Sequence, residues 1–384
     1  MTVTTYIFLA FLLIYGIIYG ILIWSYTLGW FRLKDFISEP QFIPNTKASI
    51  IIPARNEEKN IVHLLDDLVR QSVSKIFYEI VVVDDNSTDK TAEVVKLFIE
   101  NHLDFNIHLK VLPNGSQNTA YKKKAIQKAI QDSSGELIIT TDADCRLGPK
   151  WLETIIQSYE MDRPKMIVGP VSFHNETTVF ENMQTLEFLS LIAITGGAIQ
   201  IGKPIMCNGA NLVYEKKAYI DAGGFGDDKF SSGDDVFLLY KIMKIFGNNS
   251  VKFLKNYDAI AFTEAKKNLK DFIHQRTRWA SKNKGYNAKI LFVSSSVYFF
   301  NFLVTFGLIS SIFYGDIMNY VLLALLIKTI IEIPILIGIS RFVKRTRIFL
   351  YSIPLVFLYP VYIVLTGALG ILGIYTWKGR RVKN

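Results

Sequence analysis

Long apolar stretches at both ends of the chain constrain its fold more than any other feature of the sequence. Residues 1–31 carry no charged side chain, and residues 6–31 are long enough to cross a bilayer with some tilt. Arg32 and Lys34 follow at once, whereas no basic residue precedes the run, so the positive-inside rule places its C-terminal flank in the cytoplasm. A cleaved signal peptide needs a basic start, a shorter apolar core and a small-residue cleavage site. We therefore expect an uncleaved anchor.

Three further apolar runs cover residues 290–315, 317–339 and 348–377. The second contains Lys328 and Glu332, four residues apart on one helix face, which are expected to pair, to face a cavity or to mark a segment that does not fully span. A basic loop at 341–347 is expected in the cytoplasm. Three full spans after a cytoplasmic domain would place the basic tail, residues 378–383, outside. Either this tail violates the charge rule or one of the segments is re-entrant.

Composition agrees with a membrane protein that handles anions. Half of the 384 residues are hydrophobic and the formal net charge is +9, while the mean hydropathy is +0.25. On a chain with apolar segments, the positive excess indicates contact with anionic lipid headgroups or an anionic substrate. No nucleic-acid recognition motif occurs, so we expect no nucleic-acid partner. The only cysteines, Cys145 and Cys207, exclude a disulfide framework and favour a reducing compartment.

The middle of the chain alternates predicted strands with predicted helices. Apolar strands are expected at 48–52, 80–83 and 136–141 and a further strand at 107–112, separated by segments with helical spacing of apolar residues. This alternation predicts an α/β fold with a doubly wound, mostly parallel sheet. Continuous apolar strands agree, because both faces of such a sheet are covered by helices.

Acidic residues follow these strands, where open parallel sheets bind their ligands. They are Glu57, Asp84, Asp85, Asp142 and Asp144. Neither a glycine-rich dinucleotide turn nor a P-loop occurs, which disfavours dehydrogenases and P-loop enzymes. Because an acidic crevice repels a nucleotide diphosphate, a bridging cation is required if such a ligand binds. The alternative for the last pair alone is a solvated turn.

Two other segments carry candidate chemistry. Asp234 and Asp235 are expected at a helix start, where simple capping is the alternative explanation. Residues 264–286 are basic and aromatic, which is typical of a helix on the membrane surface. Within them Gln275, Arg278 and Trp279 share one helix face. An arginine fork suits a diphosphate and an indole suits a sugar ring, whereas membrane adhesion alone is the alternative.

Five motifs stand together in one order. They are the run of strand and turn at 49–58, Val83-Asp-Asp-Asn-Ser-Thr-Asp, Thr141-Asp-Ala-Asp-Cys, Gly233-Asp-Asp and Gln275-Arg-Thr-Arg-Trp. Over roughly residues 47–285 the chain resembles membrane-bound family 2 glycosyltransferases. The similar branch contains cellulose, hyaluronan and poly-N-acetylglucosamine synthases and ceramide glucosyltransferases.

The resemblance implies a GT-A fold flanked by N-terminal and C-terminal transmembrane helices. The expected segments are an anchor at 1–34, a GT-A domain at 47–260, an interfacial segment carrying the QxxRW motif at 261–288, a membrane region of two to three spans at 289–377 and a basic tail at 378–384. It also implies an integral protein of the cell membrane with a cytoplasmic catalytic domain.

The resemblance also implies roles for individual residues. Asp235 matches the general base; Asp234 before it replaces the family's usual Glu. Asp142 and Asp144 match the DxD motif that holds Mg²⁺ or Mn²⁺, with Asp144 favoured as the direct ligand. The residues expected at the nucleotide sugar are Pro53, Ala54, Arg55, Glu57, Asp84, Asp85, Lys122, Asp142 and Arg278. Those expected on the acceptor side are Asp234, Gln275, Trp279, Asn208 and Gly209.

The expected activity is inverting transfer of a hexose from a nucleotide-diphosphate sugar, with UDP favoured by the resemblance. Few C-terminal spans favour a lipid or lipid-linked hydroxyl at the cytoplasmic membrane face as the acceptor over a growing polysaccharide. The alternatives are a processive polysaccharide synthase, another metal-dependent nucleotide enzyme such as a nucleotidyltransferase, and an inert scaffold for envelope assembly. No catalytic carboxylate of the motifs is missing, which disfavours the scaffold.

Overall fold

A computed structural model describes residues 3–112, 119–226, 234–281, 288–372, 374–377 and 380–383. The helices are α1 (Val3–Arg32), α2 (Ile61–Val69), α3 (Thr91–Asn101), α4 (Thr119–Asp132), α5 (Trp151–Asp162), α6 (Val179–Gln200), α7 (Lys216–Asp221), α8 (Asp234–Phe246), α9 (Leu269–Ala280), α10 (Ala288–Ser310), α11 (Met318–Phe342) and α12 (Ser352–Leu372). The strands are β1 (Ala48–Ala54), β2 (Tyr78–Asp84), β3 (Ile107–Val111), β4 (Leu137–Thr140), β5 (Arg146–Leu147), β6 (Met166–Val168), β7 (Val171–His174), β8 (Leu212–Glu215), β9 (Val251–Phe253), β10 (Ala261–Glu264), β11 (Ile374–Trp377) and β12 (Arg380–Lys383).

The chain forms two compact units. The sheet unit consists of residues 33–176 and 202–265, and the helical unit consists of residues 1–32, 177–201 and 266–384. Residues 177–201, which contain α6, therefore group with the membrane helices although they lie inside the predicted catalytic segment at 47–260. The predicted segment limits stay a prediction.

A seven-stranded sheet with the order β3-β2-β1-β4-β8-β6-β9 forms the centre of the sheet unit. Strands β1 to β4 pair in parallel, whereas β8 runs antiparallel to both β4 and β6. Ile50, Ile51 and Ile52 of β1 are completely buried, as expected for a strand covered on both faces. The predicted α/β class with a mostly parallel sheet is confirmed. A smaller sheet with the order β5-β10-β7 lies in the same unit.

The segment that follows α1 is bound to the sheet unit. The amides of Asn45 and Thr46 donate to a carboxylate oxygen of Glu160 at 2.8 and 2.7 Å, and the amide of Phe36 donates to the carbonyl of Lys255 at 2.9 Å. The sheet unit therefore begins before Lys47, because these backbone hydrogen bonds order the connection as well.

Among the described residues, the helical unit has four helices that are long and apolar enough to cross a membrane, by length and composition: Val3–Arg32, Ala288–Ser310, Gly315–Phe342 and Thr346–Leu372. One N-terminal and three C-terminal candidates agree with the predicted membrane helices. Tyr19 of α1 stacks on Phe300 of α10, with ring centroids 4.7 Å apart. Lys328 pairs with Glu332 at 2.7 Å and the Tyr19 hydroxyl donates to Glu332, so pairing is the alternative that the structure shows.

Helices α6 and α9 run side by side in the same direction. Phe180 contacts Phe272 near the start of both helices, with ring centroids 5.6 Å apart. Further along, Phe188 contacts Trp279 at 5.7 Å. Because the sequence spacing between the two contacts is similar on each helix, the helices keep this register over about two turns.

Helix α12 follows the same course beside α9. The ring of Tyr362 lies 5.4 Å from that of Phe272, and eight residues later Gly370 approaches Ala280 so closely that an added Cβ would lie 2.6 Å from the alanine Cβ. Strand β11 also packs beside α9. The C-terminal half of α12 therefore accompanies α9 from its first turn to its last.

Candidate functional site

Parallel strand pairing brings the carboxyl ends of β1, β2 and β4 to one edge of the sheet unit. Ala54 at the end of β1 is paired with Asp84 at the end of β2, and Ile51 is paired with Thr140 at the end of β4. The predicted carboxylates therefore follow neighbouring strands at a common edge, as expected for a ligand crevice in an open α/β sheet.

Buried polar side chains organise the loops after β1 and β2. Arg55 donates through Nη1 to the carbonyl oxygen of Asp85 at 2.5 Å and lies 3.8 Å from its carboxylate. Asp84 is 2 % exposed and accepts hydrogen bonds from the hydroxyl and the amide of Ser87. Pro53 and Ala54 end β1 just before Arg55. The structure thus brings together Pro53, Ala54 and three of the charged residues that the sequence predicts at the nucleotide.

Glu57 lies in the same pair of loops, and its hydrogen bonds go to neighbouring residues of these loops and the helices that follow them. Its amide donates to the hydroxyl of Thr91 at 2.8 Å, and its carboxylate accepts a hydrogen bond from the side-chain amide of Asn60 at 2.8 Å. The left-handed backbone of Asn56, with φ of 53°, lets its side chain accept from the amide of Thr88. These bonds make Glu57 a residue that orders the first loop.

Asp142 and Asp144 follow β4 in a tight turn, closed by a 3.0 Å bond from the Cys145 amide to the Asp142 carbonyl. Asp142 is exposed and Asp144 is partly exposed. Between and after them, Ala143 and Cys145 are buried, so the two carboxylates project from an anchored turn. Burial raises the pKa of the Cys145 thiol, and the negative charges of Asp142 and Asp144 raise it further.

Two hydrogen bonds connect Asp235, through Gly209, to Thr140 at the end of β4. Oδ2 of Asp235 accepts a hydrogen bond from the amide of Gly209 at 3.2 Å. The carbonyl of Gly209 in turn accepts a hydrogen bond from the hydroxyl of Thr140 at 2.9 Å. Asp142 lies two residues after Thr140 in the sequence. Asn208 orders this connection because its side chain accepts from the Ala210 amide at 3.0 Å. The structure therefore joins the predicted base and the predicted acceptor segment, Asn208 and Gly209.

Asp234 forms an ion pair that the sequence analysis did not predict. Its carboxylate lies 2.8 Å from the ammonium of Lys123 on α4, a side chain that is only 6 % exposed. The predicted basic residue was the neighbouring Lys122, whose side chain lies outside the described residues. The cluster of basic residues could have indicated this region, but not which lysine faces Asp234.

The DxD turn offers too few ligands to enclose a cation by itself. In the part of the chain that the structure describes, no three His, Cys, Asp or Glu side chains cluster closely enough to hold a metal ion. Mg²⁺ in proteins is commonly held by one or two carboxylates together with substrate phosphates and water. Two carboxylates one residue apart on an anchored turn therefore fit a cation that a bound diphosphate completes.

The predicted QxxRW residues lie on α9 of the helical unit. Gln275, Arg278 and Trp279 are partly buried there. Two residues that the sequence analysis missed accompany them: Arg276, which is 2 % exposed, and Glu187 of α6, which is 6 % exposed. A charged residue inside an otherwise basic motif gives no sign in the sequence of being buried.

Comparison with models of protein families shows to which family the chain belongs. The family model described as glycosyl transferase family 2 matches residues 49–222. A second model, described as glycosyl transferase family group 2, matches residues 137–367, more than half of the chain. The chain belongs to glycosyltransferase family 2. The predicted family is confirmed, whereas the particular branch within it rests on the resemblance alone.

Two curated relatives show to which proteins this chain is similar. A Bacillus subtilis (strain 168) protein described as probable glycosyltransferase YdaM is 27% identical over 282 residues, which cover 69% of this chain and 64% of that protein. The matched part is thus less than two thirds of that relative. A Methanococcus voltae protein is 28% identical over 296 residues, 73% of this chain and 86% of its own length. Its name is dolichyl N-acetyl-alpha-D-glucosaminyl phosphate 3-beta-D-2,3-diacetamido-2,3-dideoxy-beta-D-glucuronosyltransferase.

A solved structure shows the same fold. The mannosyltransferase PcManGT from Pyrobaculum calidifontis, in complex with GDP-Man and Mn²⁺, superposes with a TM-score of 0.58. The match covers 94% of this chain and 99% of that chain, at 17% sequence identity. The likeness confirms a GT-A-like fold.

Proposed function

We propose that this transferase moves a hexose, with inversion, from a nucleotide-diphosphate sugar to a hydroxyl of a lipid or lipid-linked acceptor. The observation that carries the proposal is the chain of hydrogen bonds from Asp235 through Gly209 to Thr140, because it sets a carboxylate beside the strand that ends in the DxD turn. UDP is the nucleotide that the resemblance favours.

The chemistry assigned to the chain's own residues is simple. The Asp235 carboxylate takes the proton from the acceptor hydroxyl as its oxygen attacks the anomeric carbon and the bond to the diphosphate breaks. Attack from the face opposite the leaving group inverts the anomeric centre. Asp84, Asp85 and Arg55 hold the nucleoside. The loop that contains Glu57 borders it, and Lys122 is assigned near the nucleotide.

Charge on the leaving diphosphate has to be balanced as it develops. Arg278 supplies a guanidinium for it, and Gln275 and Trp279 bind the acceptor together with Asp234, Asn208 and Gly209. A divalent cation, Mg²⁺ or Mn²⁺, held by Asp144 and Asp142 would neutralise the diphosphate and orient it. Two carboxylates on an anchored turn support this assignment.

A lipid-type acceptor is supported by the membrane helices and by a relative. The four candidate spans found in the described part of the chain are few for a polysaccharide channel. The Methanococcus voltae relative carries a dolichyl-linked acceptor in its name. We place the enzyme in the cell membrane with its sheet unit in the cytoplasm, because Arg32 and Lys34 follow α1.

Replacement of the base tests the mechanism. Asp235→Asn in the full chain should lower sugar transfer by about 100- to 10,000-fold, as expected for loss of a general base. Calorimetric binding of UDP with Mn²⁺ should be unchanged, because the nucleotide residues are intact. Asp162→Asn, which removes an acid of a surface ion pair with Lys252, serves as the control. Transfer by Asp235→Asn at the control rate would refute the assignment.

The acceptor class is tested separately. Membranes that contain the full chain are incubated with a panel of radiolabelled nucleotide sugars, and the product is partitioned between water and organic solvent. We expect label in the organic phase with one of the donors. Label in insoluble or high-mass material would instead support a processive polysaccharide synthase.

A further inference from the structure

A buried ion pair lies in the middle of the QxxRW helix. Arg276 of α9 donates through Nη2 to Oε2 of Glu187 on α6 at 2.5 Å. The two side chains are 2 % and 5 % exposed, so the pair is almost completely removed from solvent. A charge in such a place is tolerated when it is paired and hydrogen-bonded.

Arg276 contacts two of the three motif residues directly. Its Nη1 donates to the side-chain oxygen of Gln275 at 2.8 Å. The guanidinium also lies over the indole ring of Trp279, 4.2 Å from the ring centroid. One planar fork therefore fixes Gln275 by a hydrogen bond and Trp279 by a cation–π contact.

Glu187 is in turn held on its other side. The hydroxyl of Tyr362 on α12 donates to Oε1 of Glu187 at 3.3 Å, and the ring of Phe272 lies 4.9 Å below the Arg276 guanidinium. Both carboxylate oxygens of Glu187 are therefore used. The orientation of Arg276 follows from α6 and α12 as well as from its own helix.

We propose that Arg276 and Glu187 are positioning residues, which hold Gln275 and Trp279 in the orientation that binds the acceptor. The inference rests on the proposed function, because the acceptor role of those two residues belongs to it. The contacts of Arg276 hold the two acceptor-side residues Gln275 and Trp279, whereas Arg278 is assigned to the diphosphate of the donor. Loss of the pair should therefore impair acceptor use and leave donor binding intact.

Lysine cannot replace Arg276 in this role. An ammonium is a point charge, whereas the guanidinium is planar and donates in two directions at once while it stacks on a ring. Arg276→Lys would keep the ion pair with Glu187 but would lose either the Gln275 hydrogen bond or the stacking on Trp279. This variant therefore separates the charge of the pair from its geometry.

Transfer kinetics provide the first test. Glu187→Gln, Arg276→Gln and Arg276→Lys in the full chain should each lower transfer by about 10- to 100-fold, the effect of a misplaced binding group. Binding of UDP with Mn²⁺ should stay at the wild-type value. The double variant Glu187→Gln/Arg276→Gln should lose no more transfer activity than the more impaired of the two single variants, since the pair acts as one unit. Lys270→Gln removes one exposed positive charge from the same helix and is the matched control.

Hydrogen–deuterium exchange provides a second test that needs no substrate. In Glu187→Gln and Arg276→Gln, amides of residues 272–280 should exchange about tenfold faster than in the wild type and in Lys270→Gln. Peptides from α11 should be unchanged. Unaltered exchange in α9 would overturn the positioning role. This outcome can be read even if the enzyme transfers no sugar from any donor in the panel.

The two tests together separate the possible failures. Absence of transfer by the wild type, with faster exchange in the variants, would contradict the proposed function and support the ion pair as the device that orders α9. Wild-type transfer with full activity in all three variants would overturn the positioning role alone. An equal loss of UDP binding and transfer would also overturn it, because a general collapse of the chain would then explain both.

Discussion

At the scale of single residues, one carboxylate joins three strands at the end of the sheet opposite the candidate site. Glu79 of β2 accepts hydrogen bonds from the hydroxyl of Ser49 on β1 at 2.6 Å and from the amide and hydroxyl of Ser134 just before β4. Burial raises the pKa of the Glu79 carboxyl, but the bonds from Ser49 and Ser134 outweigh this effect, so its pKa lies below the ordinary value.

Glu79→Gln should therefore destabilise the protein in a pH-dependent way. A depressed pKa in the folded state means that the ionised group contributes stability above its unfolded value of about 4.3. The contribution is lost as the pH falls through the lower, folded value. At pH 7 the variant should lose about 1–3 kcal/mol, the cost of a buried hydrogen-bonded carboxylate.

The measurement is the apparent melting temperature in detergent at several pH values. The gap between wild type and Glu79→Gln should be full at pH 7 and should narrow once the pH drops below the unfolded value. Asp104→Asn removes the acid of an exposed ion pair with Lys75 and should leave the melting temperature unchanged at pH 7. A gap that stayed constant down to pH 3 would contradict the assigned cause.

The two cysteines should differ in reactivity. Cys145, buried beside the DxD turn and with a raised pKa, has neither the access nor the thiolate fraction for alkylation. Cys207 is partly exposed. N-ethylmaleimide at pH 7 should add one label to the native chain, at Cys207, and two after unfolding, as counted by mass spectrometry. Rapid native labelling of Cys145 would show that the turn opens.

At the scale of secondary-structure elements, two glycines set the distance between α1 and α6. A Cβ added to Gly197 would lie 2.0 Å from the carbonyl oxygen of Tyr26, and one added to Gly29 would lie 2.2 Å from that of Gly197. Both obstacles are backbone atoms of the facing helix, so a whole helix would have to move. Small residues that permit such close approach are typical of helix contacts in membranes.

Gly197→Ala should consequently lower the melting temperature of the detergent-solubilised protein. Overpacking of a close contact costs about 1–3 kcal/mol, and backbone on the opposite side leaves little room for relief. The matched control is Gly315→Ala, since nothing lies within 4 Å of a Cβ added there. Equal stability of the two variants would show that α1 and α6 are not in contact at Gly197.

The elements differ in how far the sequence alone predicts them. Apolar segments mark β1, β2 and β4 in the sequence, and acidic residues come at or shortly after their ends. Parallel pairing alone then brings Asp84 and Asp142 to one edge. The contact between Glu187 and Arg276 could not be predicted, because it joins residues 89 positions apart through tertiary packing. The sequence also did not predict that α6 belongs to the helical unit, since its apolar residues would suit the core of a soluble domain. Lys123 was missed because adjacent lysines give no periodic signal.

At the scale of the whole molecule, the connections between the two units restrict where the helices can cross a bilayer. The sheet unit ends at Glu176 and resumes at Gly202, so both ends of α6 continue into it. It ends again at Ala265, four residues before α9 begins. Since one compact unit lies on one side of a membrane, both ends of α6 and the start of α9 belong to that side.

Helix α12 is flanked by contacts with α6 on its N-terminal side and with α9 near its C-terminus. Seven residues before it, Arg345 lies 3.5 Å from the side-chain oxygen of Asn182 near the start of α6. Near its C-terminus, Gly370 packs against Ala280 at the end of α9. We therefore predict that α12 does not cross, although its length and composition would allow it to span.

The charge of the C-terminal tail agrees with this predicted arrangement. With α1, α10 and α11 as the only crossings among the described helices, the chain ends on the side where α1 joins the sheet unit. The basic tail, which contains Lys378, Arg380, Arg381 and Lys383, then obeys the positive-inside rule. The conflict between span count and tail charge disappears when α12 is re-entrant or interfacial.

Reporter fusions in a bacterial host test this topology. Green fluorescent protein fused after Asn384 should fluoresce, and alkaline phosphatase fused there should be inactive, because both report a cytoplasmic C-terminus. Fusions after Tyr314, in the connection between α10 and α11, should give the opposite pair of results and serve as the control. Active phosphatase at the C-terminus would mean that α12 spans the bilayer. The contacts of α12 with α9 would then have to be absent in the membrane, because a helix that emerges on the far side cannot end beside Ala280.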